Sequence, residues 1–127
     1  MQEKIDGRRL EGKTALVTGA SRGIGAAIAR RLAAEGATVA CMARTLDPDP
    51  RYEGTLRDTV DLITAAGGKA SPFKADLSSS DDRKNLIDEV HNELGPIDIL
   101  VNNAAVTFFL PIDSFPEKRF KLMMETQ

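Results

Sequence analysis

The chain has 127 residues, of which 28% are charged and 42% hydrophobic, and its formal net charge is −2. This is the length of one domain with a substantial core, and the nearly neutral charge offers no basic surface for nucleic acid. The apolar runs are far shorter than the roughly 20 residues that cross a bilayer, and the charged N-terminus lacks the apolar core of a signal peptide. We therefore expect a cytoplasmic globular protein with no nucleic-acid or membrane partner.

The first predicted unit is a strand, a glycine turn and a helix. Residues 13–18 contain an apolar run typical of a buried strand, and residues 24–34 have the hydrophobic spacing of a helix, which Gly36 ends in a left-handed conformation. The side chains expected to face the sheet are Ile24, Ile28 and Leu32.

The glycine turn predicts an anion site. Gly19 suits a sharp exit from the strand, Gly23 permits close approach of a ligand, and Gly25 lets the helix lie against the sheet. A helix that begins there directs unpaired N–H groups and its positive dipole end at one point, where a pyrophosphate can bind. The spacing G-x-x-x-G-x-G, without a following Gly-Lys-Ser/Thr, argues against a nucleoside-triphosphate P-loop. The alternative is that these glycines only connect the strand to the helix.

Three further strands and three further helices follow in alternation. Residues 38–42, 70–74 and 97–101 are predicted strands, the last of them buried, and residues 45–54 form a proline-rich loop. Each helix has a start signal in the sequence. These signals are Thr55 with Asp58, Ser79 or Ser80, and Ser114 with Glu117 as a capping box for the last helix. Cys41, within the second strand, is expected to be a small core residue.

This alternation predicts an α/β fold: part of a Rossmann-like, doubly wound parallel sheet of about four strands with helices on both faces. In the doubly wound order, strands one to three form one half and strand four begins the other, across the point where ligands bind. We interpret residues 1–12 as a lead-in that is ordered only where Leu10 packs. Residues 13–127 are then the N-terminal part of a dinucleotide-binding domain that ends inside the helix after strand four.

Three motifs occur in order along the chain. They are Thr-Gly-Ala-Ser-Arg-Gly-Ile-Gly at 18–25, Asp-Leu at 76–77, and Asn-Asn-Ala-Ala at 102–105, the last preceded by Gly-Pro-Ile-Asp at 95–98. With them the chain resembles the short-chain dehydrogenase/reductase family over nearly its whole length. The resemblance implies a nicotinamide dinucleotide cofactor, a small carbonyl or alcohol substrate in the full-length protein, and a homo-oligomer.

The resemblance also implies which residues bind the cofactor. The backbone from Ser21 to Ile24 would hold the phosphates, Asp76 would bond the adenine amino group, and Ala104 with Val106 would line the adenosine ribose. An alternative role is left open for Asp76, as a turn residue, and for Asn102 and Asn103, as side-chain amides that tie neighbouring strand ends together. The complete predicted cofactor set is Gly19, Ser21, Arg22, Gly23, Ile24, Gly25, Arg44, Thr45, Asp76, Leu77, Asn103, Ala104 and Val106.

The end of the second strand predicts the choice of cofactor. Folds that bind NAD usually place an acid there, about 20 residues beyond the glycines, to hold the ribose hydroxyls. This chain has Ala43, Arg44 and Thr45 instead, so a 2′-phosphate would meet no carboxylate and could bind a guanidinium and a hydroxyl. Arg22 offers a second positive charge. NADP(H) is therefore favoured over NAD(H), unless both arginines are merely solvated surface residues.

The catalytic residues of the family are not found in this chain. Family members use a Ser and a Tyr-x-x-x-Lys pair, but Tyr52, the only tyrosine, has Leu56 at the lysine position and is expected to pack its loop. Gln127 stands where many members carry a proton-relay Asn, and His91 is expected to be solvated. We predict no catalytic or metal-binding residue here and no turnover by the 127 residues alone. Two other interpretations remain, a non-catalytic nucleotide-binding or interaction module and an inactive truncated product.

Overall fold

The computed structural model describes residues 9–48, 50–51, 53–106 and 109–126. The elements in chain order are β1 (Thr14–Thr18), α1 (Gly23–Ala34), β2 (Thr38–Ala43), α2 (Leu56–Ala65), β3 (Lys69–Lys74), α3 (Ser80–Leu94), β4 (Ile99–Val101), a short 3-10 turn (Ile112–Ser114) and α4 (Glu117–Thr126). All four strands are parallel, and their order in the sheet is β3-β2-β1-β4. The predicted α/β Rossmann-like fold is confirmed.

The core lies on both faces of the sheet because successive strand residues point in opposite directions. Val17 and Cys41 pack on the face covered by α1 and α2, whereas Leu16 and Met42 pack on the face covered by α3. Each of these four residues is at most 1% exposed. The two central strands therefore read as continuous apolar runs, as expected of a parallel sheet covered on both sides.

Several helix ends agree with their sequence signals. Thr55 and Asp58 form a reciprocal capping box at the start of α2, with N–H to oxygen distances of 2.9 and 3.1 Å. Ser79, and not Ser80, caps α3. Gly36 has a positive φ of 101° just after α1 and donates its N–H to the Ala33 carbonyl. The lead-in also contacts the core where predicted, since Leu10 packs against it and donates its N–H to the Glu35 carbonyl at 2.7 Å.

The predicted inner face of α1 is wrong for Ile24. That side chain is 74% exposed, whereas Gly25, Ala29 and Ala33 are buried against the sheet. The reason is that the turn brings α1 so close to β1 that only glycine and alanine fit between them. Ile28 and Leu32 pack at the margin of this contact and are partly buried.

The end of the chain also differs from its prediction. The fourth strand is shorter than expected and is not fully buried, since Leu100 is 53% exposed. The predicted capping box of Ser114 with Glu117 is wrong because Ser114 lies in the 3-10 turn, where its hydroxyl donates to the Pro111 carbonyl at 3.4 Å. Helix α4 begins only at Glu117, after Pro116, whose carbonyl accepts the N–H groups of Arg119 and Phe120.

Strand β3 lies at one edge of the sheet and contains Pro72, which is aligned with Cys41 of β2. Just after the strand, the N–H of Ala75 donates to the Ala43 carbonyl of β2 at 3.1 Å. Because N–H groups alternate in direction along a strand, the ring nitrogen of Pro72 faces away from β2. The proline therefore removes no hydrogen bond from the ladder between these strands.

Candidate functional site

The predicted cofactor residues lie at the carboxyl ends of the parallel strands. Since the strands are all parallel, the segments that follow β1, β2, β3 and β4 lie at the same end of the sheet. These segments carry, in turn, the glycine turn at 19–25, the pair at 44–45, the pair at 76–77 and the segment 102–106. In open α/β sheets ligands bind at the carboxyl ends of the strands, at the place where the strand order reverses. Here the order reverses between β1 and β4.

The glycine turn depends on its three glycines, two for their backbone conformation and one for close packing. Gly19 and Gly23 adopt φ angles of +66° and +55°, and a Cβ on Gly23 would meet no atom within 4 Å. Gly25 is restricted differently, since a Cβ there would overlap the Gly19 carbonyl and lie 2.5 Å from the amide nitrogen of Asn103. The turn is thus open to solvent at Gly23 and tightly packed against the protein at Gly25.

The carbonyl groups at the start of the turn are held by Asn103. Its side-chain amide donates to the carbonyl oxygens of Thr18 and Gly19 at 3.1 and 3.2 Å. The Thr18 hydroxyl accepts the N–H groups of Asn103 and Ala104, both at 3.0 Å, and donates to the Val101 carbonyl at 3.2 Å. Asn103 therefore ties the end of β4 to the end of β1, which is the structural role that the sequence left open.

The N-terminus of α1 differs from those of α2 and α3. Its N-cap, Arg22, makes no side-chain capping hydrogen bond, and the first turn contains no acidic residue. In contrast, α2 and α3 are capped by Thr55 and Ser79, and both have acidic residues in their first turn. The first N–H groups of a helix have no partner within the helix, and together with the dipole they favour an anion. Helix α1 therefore directs its positive end toward the glycine turn and has no carboxylate in its own first turn.

Asp76 forms a local turn at the end of β3. Its Oδ1 accepts the N–H of Ser78 at 2.9 Å and the Ser78 hydroxyl at 2.7 Å. These two hydrogen bonds are the main cause that lowers the pKa of Asp76, and the positive charge of Arg44 lowers it further. The N–H of Asp76 donates to the carboxylate of Asp82 in α3 at 2.8 Å. The turn role considered for Asp76 is thus present, and Arg44 is near enough to act on its charge.

The other predicted residues lie around the same ends of the strands. Thr45 is exposed, Val106 is half-buried, and the Leu77 carbonyl accepts a hydrogen bond from Arg83 at 2.5 Å.

His91 is exposed on α3, as expected. Cys41 is buried, and burial raises the pKa of its thiol to about 12, so it behaves as a core residue. The predictions for Tyr52 and Gln127 fall outside the described residues.

Two threonines that contact the turn were not among the predicted site residues. Thr18 is the first residue of a sequence motif, and its hydroxyl makes three hydrogen bonds. Thr59 of α2 is 3% exposed and donates its hydroxyl to the Ala20 carbonyl at 2.8 Å. The available signal was a hydroxyl residue on the buried side of α2, between Leu56 and Ile63.

A cavity of about 680 Å³ lies at the amino ends of the strands, opposite the predicted cofactor residues. It is formed where α1 and α2 end, and residues such as Arg30, Leu62 and Lys69 line it. None of the predicted cofactor residues lines this cavity. Over the ranges that the structure describes, no group of three or more His, Cys, Asp or Glu side chains could hold a metal ion, and no helix is long and apolar enough to span a membrane.

The sequence of this chain is similar to those of known proteins. Residues 13–127 match the family model described as short chain dehydrogenase. A short chain dehydrogenase of Pseudocercospora fijiensis is 46% identical over 115 residues, which cover 91% of this chain and 35% of that protein. The chain thus spans about a third of the length of this curated relative.

Solved structures show the same arrangement of elements. A short chain dehydrogenase of Mycobacterium thermoresistibile has a TM-score of 0.87 and 42% identity, with 93% of this chain and 42% of that chain covered. A metagenomic short-chain oxidoreductase in complex with NADP has a TM-score of 0.83 and 40% identity, with 92% and 50% covered. Together with the family match over residues 13–127, these similarities show that the chain belongs to the short chain dehydrogenase family.

Proposed function

We propose that this chain is the NADP(H)-binding part of an oxidoreductase that transfers a hydride between the nicotinamide and a carbonyl or alcohol carbon. The main support is the N-terminus of α1, which lacks a side-chain cap and acidic residues and opens onto the glycine turn. A diphosphate is the anion that this position accepts in dinucleotide-binding folds. In this proposal residues 13–127 are the N-terminal part of the dinucleotide-binding domain.

Each predicted residue then has a role toward the cofactor. The backbone from Ser21 to Ile24 holds the phosphates, and Gly19, Gly23 and Gly25 give the turn its shape. Asp76 accepts a hydrogen bond from the adenine amino group with its Oδ2, since both hydrogen bonds from Ser78 go to Oδ1. The residues beside the adenosine are Leu77, Asn103, Ala104 and Val106.

The preference for NADP(H) rests on the charges near the end of β2. Arg44 is exposed there, with the hydroxyl residue Thr45 beside it, and a guanidinium can bind a phosphate through two hydrogen bonds. Arg22, at the start of α1, supplies a second positive charge. The NADP complex of the metagenomic relative, which is 40% identical, supports the same choice.

The hydride transfer itself depends on residues that we do not assign to this chain. When bound, NADP(H) supplies or accepts the hydride, and the residues described here bind and orient it. A catalytic Ser and a Tyr-x-x-x-Lys pair are expected elsewhere in the full-length protein, which we propose to be a cytoplasmic homo-oligomer that acts on a small substrate.

Cofactor titration of the intact protein that contains this chain tests the proposal. We expect NADPH to bind more tightly than NADH. The variant Arg44→Ala should weaken NADPH binding about 10- to 100-fold and change NADH binding less than about twofold, because only NADPH carries the 2′-phosphate.

Arg30→Ala is the matched control. Arg30 is exposed on the same domain, but it lines the cavity at the amino ends of the strands, away from the proposed cofactor site. It should leave both affinities unchanged. Tighter binding of NADH by the wild type would contradict the NADP(H) preference, and no binding of either dinucleotide would contradict the proposed function as a whole.

A further inference from the structure

Thr59 is a buried hydroxyl residue behind the glycine turn. It lies on the inner side of α2 and is 3% exposed, next to a core formed by residues such as Leu56 and Ile63. Its hydroxyl donates to the Ala20 carbonyl at 2.8 Å, a contact between residues 39 positions apart in the sequence. A buried polar side chain costs stability unless it is paired, and here the pairing partner is the backbone of the turn.

The geometry of the peptide bond links this contact to the neighbouring residue. The Ala20 carbonyl and the Ser21 N–H belong to one planar trans peptide unit, in which the C=O and N–H bonds point in opposite directions. When Thr59 holds the carbonyl toward α2, the Ser21 N–H must point away from α2. The N–H of Ala20 itself is not available to a ligand, because it donates to the Met42 carbonyl of β2 at 2.9 Å.

Gly54 also lies beside this part of the turn. Gly54 precedes α2 with a φ of +86°, and a Cβ at this position would lie 3.2 Å from the Ser21 carbonyl. The segment from Gly54 to Thr59 thus hydrogen-bonds to the Ala20 carbonyl and lies close to the Ser21 carbonyl, where a side chain at position 54 would be crowded. None of the proposed cofactor residues lies in this segment.

We propose that Thr59 is a positioning residue for the cofactor diphosphate: its hydroxyl fixes the peptide between Ala20 and Ser21 so that the Ser21 N–H faces the phosphate. This inference rests on the proposed function, since it assigns Thr59 a part in the same cofactor site. It adds a residue from α2, outside the three sequence motifs, to the determinants of cofactor affinity.

The test compares a ligand that contains the diphosphate with one that lacks it. In the intact protein, Thr59→Val removes the hydroxyl and keeps the shape of the side chain. It should weaken NADPH binding about tenfold, the effect of one hydrogen bond, and leave the affinity for adenosine 2′-monophosphate within about twofold. Thr59→Ser, which keeps the hydroxyl but loses a buried methyl group, should lower thermal stability and yet keep the wild-type ratio of the two affinities.

Thr64→Val is the matched control. Thr64 lies on the same helix, but it is exposed and its hydroxyl donates at 3.0 Å to the Val60 carbonyl within the helix. Its substitution should leave both affinities unchanged. The inference is overturned if Thr59→Val weakens both ligands equally, if it weakens neither, or if Thr59→Ser fails to preserve the ratio.

Amide hydrogen exchange provides a measurement that needs no variant, in case Thr59→Val does not fold. In the wild type, NADPH should slow exchange of the Ser21 amide at least about tenfold, whereas adenosine 2′-monophosphate should leave it unchanged. A Ser21 amide that NADPH does not protect overturns the inference while leaving the proposed function intact. A wild-type protein that binds no dinucleotide overturns the proposed function, and the role of Thr59 with it.

Discussion

The glycine turn and helix α4 are held in place by different kinds of contact. The carbonyl groups of Thr18, Gly19 and Ala20 accept hydrogen bonds from side chains 39 to 85 residues away in the sequence. Helix α4 has no buried residue, and the ion pair between Lys121 and Glu117, at 3.2 Å, lies within the helix. The turn is therefore determined by tertiary structure and α4 by local structure, so substitutions in the two regions should differ sharply in cost.

The largest effect is expected at Gly25. Replacing a helical glycine with alanine normally adds stability because of helix propensity. In Gly25→Ala, however, the new methyl group would overlap the Gly19 carbonyl, so we expect the free energy of unfolding to fall by about 2 to 3 kcal/mol. Urea denaturation measures this change. Ala27→Val, at an exposed position of the same helix, should cost only about 0.5 kcal/mol, and a stabilised Gly25→Ala variant would show that α1 is not in close contact with the turn.

The next largest effect is expected at Asn103. Asn103→Leu removes the amide that donates to the carbonyl groups of Thr18 and Gly19 and should cost about 2 kcal/mol, because these partly buried acceptors lose their protein donor. The control is Asn102→Leu at the exposed neighbouring position, which should change the free energy of unfolding by less than about 0.5 kcal/mol. Equal costs for the two variants in chemical denaturation would contradict the role given to the Asn103 amide.

A smaller, pH-dependent effect is expected at Asp76. Its pKa is lowered in the folded protein, first by the hydrogen bonds from Ser78, so its ionised form stabilises the fold at pH values above the unfolded-state pKa of about 3.9. This stabilisation should disappear as the pH falls through the folded-state pKa. Ser78→Ala should raise the pKa of Asp76 toward its ordinary value, which nuclear magnetic resonance titration can measure. An unchanged pKa in this variant, which keeps the backbone N–H of residue 78, would show that the Ser78 hydroxyl is not the main cause.

The smallest effect is expected in α4. Phe120 is 56% exposed, and serine has a helix propensity similar to that of phenylalanine. Phe120→Ser should therefore change the unfolding free energy of the 127-residue chain by less than about 0.5 kcal/mol. Leu86→Ser, at a buried position of α3, should cost several times more. A loss above about 1.5 kcal/mol in Phe120→Ser would mean that α4 packs against the rest of the chain.

The sequence was most informative where structure depends on neighbouring residues. The capping box of Thr55 with Asp58 and the left-handed Gly36 were predicted from local signals, and the alternation of strands and helices predicted the parallel sheet. The inner face of α1 was misread at Ile24 because hydrophobic spacing gives weight to large side chains. The actual contact depends on how small Gly25 and Ala29 are.

The candidate site could be predicted only in part for a related reason. The family motifs identified residues that follow each strand, but the hydrogen bond from Thr59 to Ala20 joins a helix to a turn 39 residues away. The spacing of α2 indicates that Thr59 is a hydroxyl residue on the buried side of the helix, but a single sequence does not identify the backbone carbonyl with which it pairs. The predicted start of α4 was wrong because Ser114 and Glu117 have the spacing of a capping box, whereas the helix begins at Glu117, after Pro116.

Pro72 has a consequence for solubility. An edge strand can recruit a strand from another molecule through its unpaired N–H and C=O groups, which is a common route to aggregation. On the outward edge of β3, the proline removes a donor in the middle of the strand, and the exposed side chains of Lys69 and Lys74 carry positive charge at its two ends. The β3 edge of the sheet, near the proposed cofactor residues Arg44 and Asp76, is thus protected against self-association by its own sequence.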